Sequence, residues 1–308
     1  MMREFQLLEH VYASNQSLSP NVQIPPGDDL AQILIGNPSL LAGVDQLVEG
    51  RHFNLEVTPL ALIGRKAITR SLSDVAAMAG KPLASLIAIT LPPDFGEDRA
   101  TSLFDAMRAT AEEFNCPLIG GDIAFHEDPS HAMVCAVTVL ATPSRKKAIT
   151  RDGAHVGDHV YVTGTLGGTL LPNGLGHHLT FTPRIAEALA LQSQLGDALH
   201  AMIDISDGLG RDASHIATQS EVRIEFDVQA IPCRAGISWQ DAVSGGEDYE
   251  LCFTASGDVP SCVGDTLVTR MGVVVPMDDQ ASEGTPNVVF RDGDDLIPGD
   301  ELGWQHES

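Results

Sequence analysis

Apolar residues in this chain change spacing between a helical and an extended period, and the changes mark out its elements. From Ile63 to Ala79 they recur at helical spacing (Ile63, Ala67, Val75, Ala76, Met78, Ala79), and Gly80-Lys81-Pro82 is expected to end that helix. A second amphipathic helix is predicted over 100–114 and a short one over 4–13. Strands are predicted at 30–35, at 40–44 halting on Asp45, at 85–91 and at 132–140, with Leu118-Ile119 leading into Gly120-Gly121-Asp122. Around residues 141–152 the chain turns basic and polar, which predicts a link between an N-terminal domain, 1–143, and a C-terminal domain, 144–308. The second half repeats the grammar, with strands at 159–163, 202–205, 222–226 and 250–254 and helices near 184–195 and after Asp207. Neighbouring strands without an intervening helix predict α+β layers rather than one doubly wound sheet.

Charge narrows the partners. Asp and Glu number 42 against 18 Lys and Arg, a net charge of −24. Such a surface repels nucleic acid and anionic lipid, so neither is expected as a partner. It repels nucleotides too, so phosphate substrates would require a cation. The five cysteines form no C-x-x-C pair, and buried inert thiols in a reducing compartment are expected. No run approaches a membrane span and the start carries no secretory pattern, which makes the expected location cytoplasmic.

The aspartates carry the chemical signal. Asp28-Asp29 follow a Pro-Pro-Gly turn, Asp45 ends an apolar run, Asp74 lies in a helix of small residues, Asp122 follows a glycine pair, and Asp204 and Asp207 flank Ser206 between a strand and a helix. Solvated charges belong on helix faces rather than after apolar runs. Hard divalent cations take oxygen ligands, and Mg²⁺ is commonly shared between a few carboxylates and substrate phosphates. Each aspartate alone has a plainer reading: Asp207 could cap the following helix, and Asp28-Asp29 could form a turn. Seven at element junctions are harder to explain that way.

Other signals are weaker. No G-x-x-x-x-G-K-[ST] and no protein-kinase signature occurs. Thr163–Gly168 (TGTLGG) could cradle phosphate or simply turn the chain. His177-His178 reads as loop surface. Gly245-Gly246 permits close backbone approach to a ligand beside Glu247.

These stretches, GDD at 27–29, SLSDVAAMAGKP at 71–82, LIGGD at 118–122, MIDISDGLGRDASHI at 202–216 and SGGEDYELCFT at 244–254, run in one order across nearly the whole chain. In that order they resemble the thiamine-monophosphate kinase family, within the superfamily of aminoimidazole ribonucleotide synthetase and selenophosphate synthetase. The resemblance implies an α+β, two-domain fold, with an N-terminal mixed sheet that dimerises and a C-terminal α/β sandwich domain. It implies phosphoryl transfer from ATP to thiamine monophosphate in a homodimer with several Mg²⁺ ions. Carried over by position, Asp29, Asp45, Asp74, Asp122, Asp204 and Asp207 would hold metal, Gly121, Asp122, Arg151 and Ser206 would contact ATP, and His52, Glu247 and Trp304 would contact the acceptor. Asp207 and Arg151 would be the catalytic pair. The chain departs from the family pattern at Val44, where a hydroxyl is usual, and in a short segment between Gly168 and Pro183. A different small acceptor, or a nucleotide-binding regulator with a decayed site, therefore remain alternatives.

Overall fold

A helix enclosed on almost every side organises the molecule. In the computed structural model, which describes residues 21–25, 27–35, 39–128, 130–145, 147–277 and 286–304, α1 spans Leu60–Ala77 and buries 12 of its 18 residues. The helix expected over 4–13 lies outside the described residues. Burial all round means that α1 is a core helix rather than a surface one, and its composition follows. Alanine, serine, threonine and glycine let neighbours come close. A Cβ on Gly64 would sit 2.8 Å from the Cβ of Ala106 and 3.0 Å from the carbonyl oxygen of Leu103. Both belong to α2 (Glu97–Glu113), the second predicted helix.

On one side α1 meets a six-stranded sheet, ordered β1 (Val22–Ile24), β2 (Ala31–Ile33), β3 (Leu40–Val48), β6 (Val134–Pro143), β4 (Gly80–Leu91) and β5 (Leu118–Phe125). Its pairs are antiparallel except β4 with β5. On the other side α1 meets α3 (Ile185–Leu195) and β8 (Leu199–Asp204). β8 edges an eight-stranded sheet that continues through β10 (Leu251–Ala255), β7 (His159–Thr163), β12 (Thr266–Val275), β9 (Arg223–Asp227), β13 (Val288–Asp292) and β14 (Asp295–Pro298), with β11 (Cys262–Val263) paired to β12. One apolar core runs from the first sheet through α1 to α3 and one face of the second sheet. A second core lies between the other face and α4 (Leu209–Gln219) and α5 (Trp239–Ser244). The fold is the expected α+β arrangement of two sheets.

Three expectations change. Asp45 does not end its strand: β3 pairs with β6 from Leu41 to Val48, which places Asp45 mid-strand. Gly120-Gly121-Asp122, expected at the mouth of a strand, is instead the middle of β5, in register with Leu86, Ile87 and Ala88 of β4. The glycine is required there by proximity, since a Cβ on Gly121 would fall 2.0 Å from the Ile87 carbonyl oxygen. The stop after α1 is one residue early, because Ala79 takes the left-handed backbone (φ 49°) and Gly80 already begins β4. Among the cysteines, Cys116, Cys135 and Cys252 are buried as expected, whereas Cys262 is exposed.

Because α2 leaves no room at Gly64, the substitution Gly64→Val should destabilise the fold by about 1–3 kcal/mol through overpacking. Urea unfolding of purified protein measures it.

Candidate active site

Three elements far apart in sequence bring carboxylates together. Asp29 sits in the loop between β1 and β2, Asp74 on the last turns of α1 and Asp204 at the end of β8. One oxygen from each lies within 4.8 Å of the others. Ser73 Oγ donates to Asp204 Oδ2 at 2.6 Å. Asp74 is half-buried, and enclosure by protein, with the charges of Asp45, Asp204 and Asp29 added, pushes its carboxyl well above the ordinary carboxylate range. Burial, then Asp29, raises Asp204 to about 8. Such a group holds more negative charge than its surroundings compensate. Oxygen donors at this spacing fit a hard divalent cation.

The cation in direct contact is Arg151, from the link between the two sheets. Its Nη2 and Nε grip Asp29 in a fork, at 2.8 and 3.1 Å. Its backbone N–H donates to Asp28 Oδ2 at 3.2 Å. Asp28 Oδ1 also accepts the N–H of Asp29 at 3.0 Å, so Asp28 is the turn former that its Pro-Pro-Gly context suggested. Asp45, on β3, lies 3.6 Å from the Nη2 of Arg70. Side chains alternate along β3, so Val44 points to the opposite, exposed face of the sheet.

Asp204 leads into a loop that is held by a residue outside the expected set. Asp212 Oδ2 accepts the N–H groups of Ser206, Asp207 and Gly208 at 2.9, 3.0 and 3.1 Å. The cap of α4 is Gly208, and Asp212, inside the helix, holds the N–H groups of the three residues leading into it, so Asp207 is not the helix cap. Its carbonyl accepts the N–H of Trp304 at 2.7 Å, tying the C-terminal segment to this loop.

Ser206, Asp207, His52, Glu247 and Trp304 all line one cavity of about 320 Å³, together with Arg51, Arg70 and Tyr249. The three residues expected to touch an acceptor therefore converge. The wall behind Glu247 was not expected. Lys66, fully buried in α1, donates to Glu247 Oε1 at 2.6 Å and to the His52 carbonyl at 2.8 Å. His178 Nδ1 lies 2.7 Å from that ammonium and 3.0 Å from Glu247 Oε2. Burial lowers Lys66 to about 8, against the pull of Glu247. Burial opposes ionisation of Glu247 as well, but His178 and Lys66 overcome it and hold the carboxyl at about 2. His178 is thus a buried partner rather than loop surface.

The acids of Gly245–Leu251 divide by alternation. Glu247 and Tyr249 take left-handed backbone (φ 63° and 53°) and turn toward the cavity, their N–H groups anchored on the carbonyls of Ser206 and Ile205, each at 2.7 Å. Asp248 accepts from Gly167 N–H at 2.8 Å and pairs with Arg234, while Glu250 takes a fork from Arg184 at 2.6 and 2.7 Å. In the Gly164–Gly168 loop the N–H groups of Gly164, Leu166 and Gly167 are all bonded to protein, which makes it a turn rather than a phosphate cradle. Gly121 and Asp122 are exposed on β5, and Asp122 is not part of the carboxylate group. Lys66, Arg70 and Asp212 were missed because the first two lie on an apolar helix pattern and the third reads as an ordinary helix acid. Lysine at a helical core position was the available signal.

Comparison with known proteins adds a family. Residues 27–142 match the family model described as AIR synthase related protein, N-terminal domain. The thiamine-monophosphate kinase of Haemophilus influenzae is 33% identical over 88% of this chain and 85% of its own length. That of Escherichia coli K12 is 31% identical over 98% of both. Among solved structures, one described as AaThiL complexed with AMPPCP and TMP superposes with a TM-score of 0.78 at 27% identity, covering 99% of this chain and 97% of that one.

The buried pair sets the acid behaviour of the protein. Glu247→Gln should cost about 3–5 kcal/mol at pH 7, because it strands the Lys66 charge. Since the Glu247 carboxyl is held at about 2 against an ordinary 4.5, its stabilisation is complete above 4.5 and is lost as pH falls toward 2. The stability gap between wild type and variant, read by urea unfolding at pH 7, 5 and 3.5, should therefore persist to pH 5 and narrow at 3.5.

Proposed function

This chain belongs to the thiamine-monophosphate kinase family, and we propose that it transfers the γ-phosphoryl group of ATP to the phosphate of thiamine monophosphate, giving thiamine diphosphate. The observation that carries the reading is adjacency. Asp204 belongs to the carboxylate group, and Ser206 and Asp207, one and two residues further along the same loop, line the acceptor cavity. A nucleotide held through the carboxylates would meet an acceptor held in the cavity.

The acceptor atom is a phosphate oxygen, ionised near neutral pH, so no strong general base is required. The task left to the protein is to align two anions and neutralise their charge. Arg51 and Arg70 line the cavity and offer guanidinium groups to the acceptor phosphate. Glu247, kept ionised by Lys66 and His178, faces the cationic thiazolium and the aminopyrimidine, and the rings of Tyr249 and Trp304 supply apolar contact. Ser206 and Arg151 are assigned to ATP, and Arg151 would leave Asp29 for the transferring phosphate. Asp29, Asp74 and Asp204, with Asp45 and Asp207 beside them, would hold Mg²⁺, which when bound supplies the positive charge that phosphoryl transfer requires. Purified protein with ATP, Mg²⁺ and thiamine monophosphate should yield thiamine diphosphate in a coupled assay. Absence of product above background refutes the reading.

A homodimer is supported by apolar side chains on the outer face and edge of the first sheet: Val44, Ile119, Ile123 and Phe125 are 63, 61, 52 and 60% exposed. Exposure of that kind marks an interaction surface. The same edge strand carries Gly121 and Asp122, so the ATP role expected of them falls on a surface that dimerisation would cover. No helix among the described residues is long and apolar enough to cross a membrane.

Two outcomes follow. Asp74→Asn should lower turnover by at least about 100-fold, as loss of a ligand does. In chelator-treated protein it should also raise the melting temperature, because one of the mutually repelling carboxylates becomes neutral, while the stabilisation by added Mg²⁺ disappears. Val44→Glu should shift the mass measured by light scattering from dimer to monomer.

A further inference from the structure

At the opposite end of β8 from Asp204, two histidines converge on a buried aspartate. Four residues of strand, about 13 Å, separate His200 from the carboxylate group described above. Asp158 is 3% exposed, and both of its oxygens face the Nδ1 of His200, at 2.9 and 2.8 Å. The second oxygen also accepts the N–H of His155 at 2.8 Å. The ring of His155 stands edge-on to that of His200, with centroids 4.5 Å apart. One ligand atom from each of the three residues lies within 4.8 Å of the others.

The backbone beneath is fixed independently of these side chains. Gly157 N–H donates to the Val274 carbonyl and Val274 N–H returns to that of Asp158, both at 2.9 Å. Gly153 lies so close to His200 that a Cβ there would fall 2.1 Å from its carbonyl oxygen. The three donors are thus presented by a turn and a strand that are pinned together.

Their geometry can be compared with coordination chemistry. Borderline divalent metals hold imidazole nitrogen and carboxylate oxygen at about 2.0–2.1 Å, so two ligands lie about 2.9 Å apart at an octahedral angle and about 3.4 Å apart at a tetrahedral one. The Asp158–His200 contacts, now a hydrogen-bonded pair, are within a few tenths of an ångström of both. Two imidazoles and one carboxylate suit zinc, cobalt or nickel, whereas magnesium takes oxygen ligands. His155 is exposed, which leaves further coordination positions to water.

The geometry points to a binding site for one borderline divalent cation of the Zn²⁺, Co²⁺ or Ni²⁺ class, held by His155, Asp158 and His200 and completed by water. On binding, the ion replaces the proton shared by His200 and Asp158. It clips the link between the sheets to β8, and that link carries Arg151, whose neighbour Thr150 already bridges Ala201. A hydrogen-bonded Asp158–His200 pair without metal would give His155 no role, and this difference is what a test can read.

Full-length protein, stripped with chelator and returned to excess Mg²⁺ so that the aspartate group is occupied, is titrated with Co²⁺ by visible absorption and with Zn²⁺ against a chromophoric chelator. The expected result is one equivalent per chain, with d–d bands of nitrogen-ligated Co²⁺, and affinity at least about tenfold weaker in both His155→Ala and His200→Ala. His155 is exposed, so His155→Ala should unfold like wild type without metal, and Asp74→Asn should bind Co²⁺ unchanged. No binding, binding that survives either histidine substitution, or binding lost in Asp74→Asn overturns the site.

Discussion

Repulsion among Asp29, Asp74 and Asp204 is the constraint on which the rest of the molecule depends. Carboxylates this close, and this poorly hydrated, resist being ionised together. The fold nevertheless brings them in from a loop, a helix and a strand, and opposes them chiefly with Arg151, an arginine supplied by the link between the sheets. That choice explains the burial of α1. A helix able to deliver Asp74 to the end of β8 has to pass between the sheets, and to do so its outer positions have to be small. Gly64 and the serines and alanines around it are the result.

The second theme is division of labour among like residues. Three acids in four positions, Glu247, Asp248 and Glu250, look interchangeable as a string. Left-handed backbone at Glu247 and Tyr249 turns these two residues toward the cavity and sends Asp248 and Glu250 the other way. One acid consequently reaches the cavity while the other two brace Gly167, Arg184 and Arg234. The same holds after β8, where Asp204 joins the carboxylate group, Asp207 faces the cavity and Asp212 secures the loop between them.

Much of this was legible in the sequence, and the failures have a common cause. Apolar periodicity located α1, α2, α4 and most strands, because those signals are local. The aspartate set was legible since charge after an apolar run is costly unless something uses it. Asp45 and Asp122 were placed at strand ends because pairing partners, β6 and β4, are not local information and those partners extend both strands past the acid. Lys66 and His178 were missed for a related reason: each is tolerable in the core only because the other and Glu247 are there, and the three are 69 to 181 residues apart.

α1 has one further consequence. Lys66, Arg70 and Asp74 follow one another at intervals of four residues, so they form a stripe along a single face. Lys66 braces the far wall of the cavity and Asp74 belongs to the carboxylate group, and eight residues of helix between them rise about 12 Å. On the proposed reading the helix is a ruler: it would fix the span between the head of an acceptor and the point where its phosphate meets the nucleotide. Such a gauge would select by length before it selects by chemistry, and exchanging a side chain would not reset it.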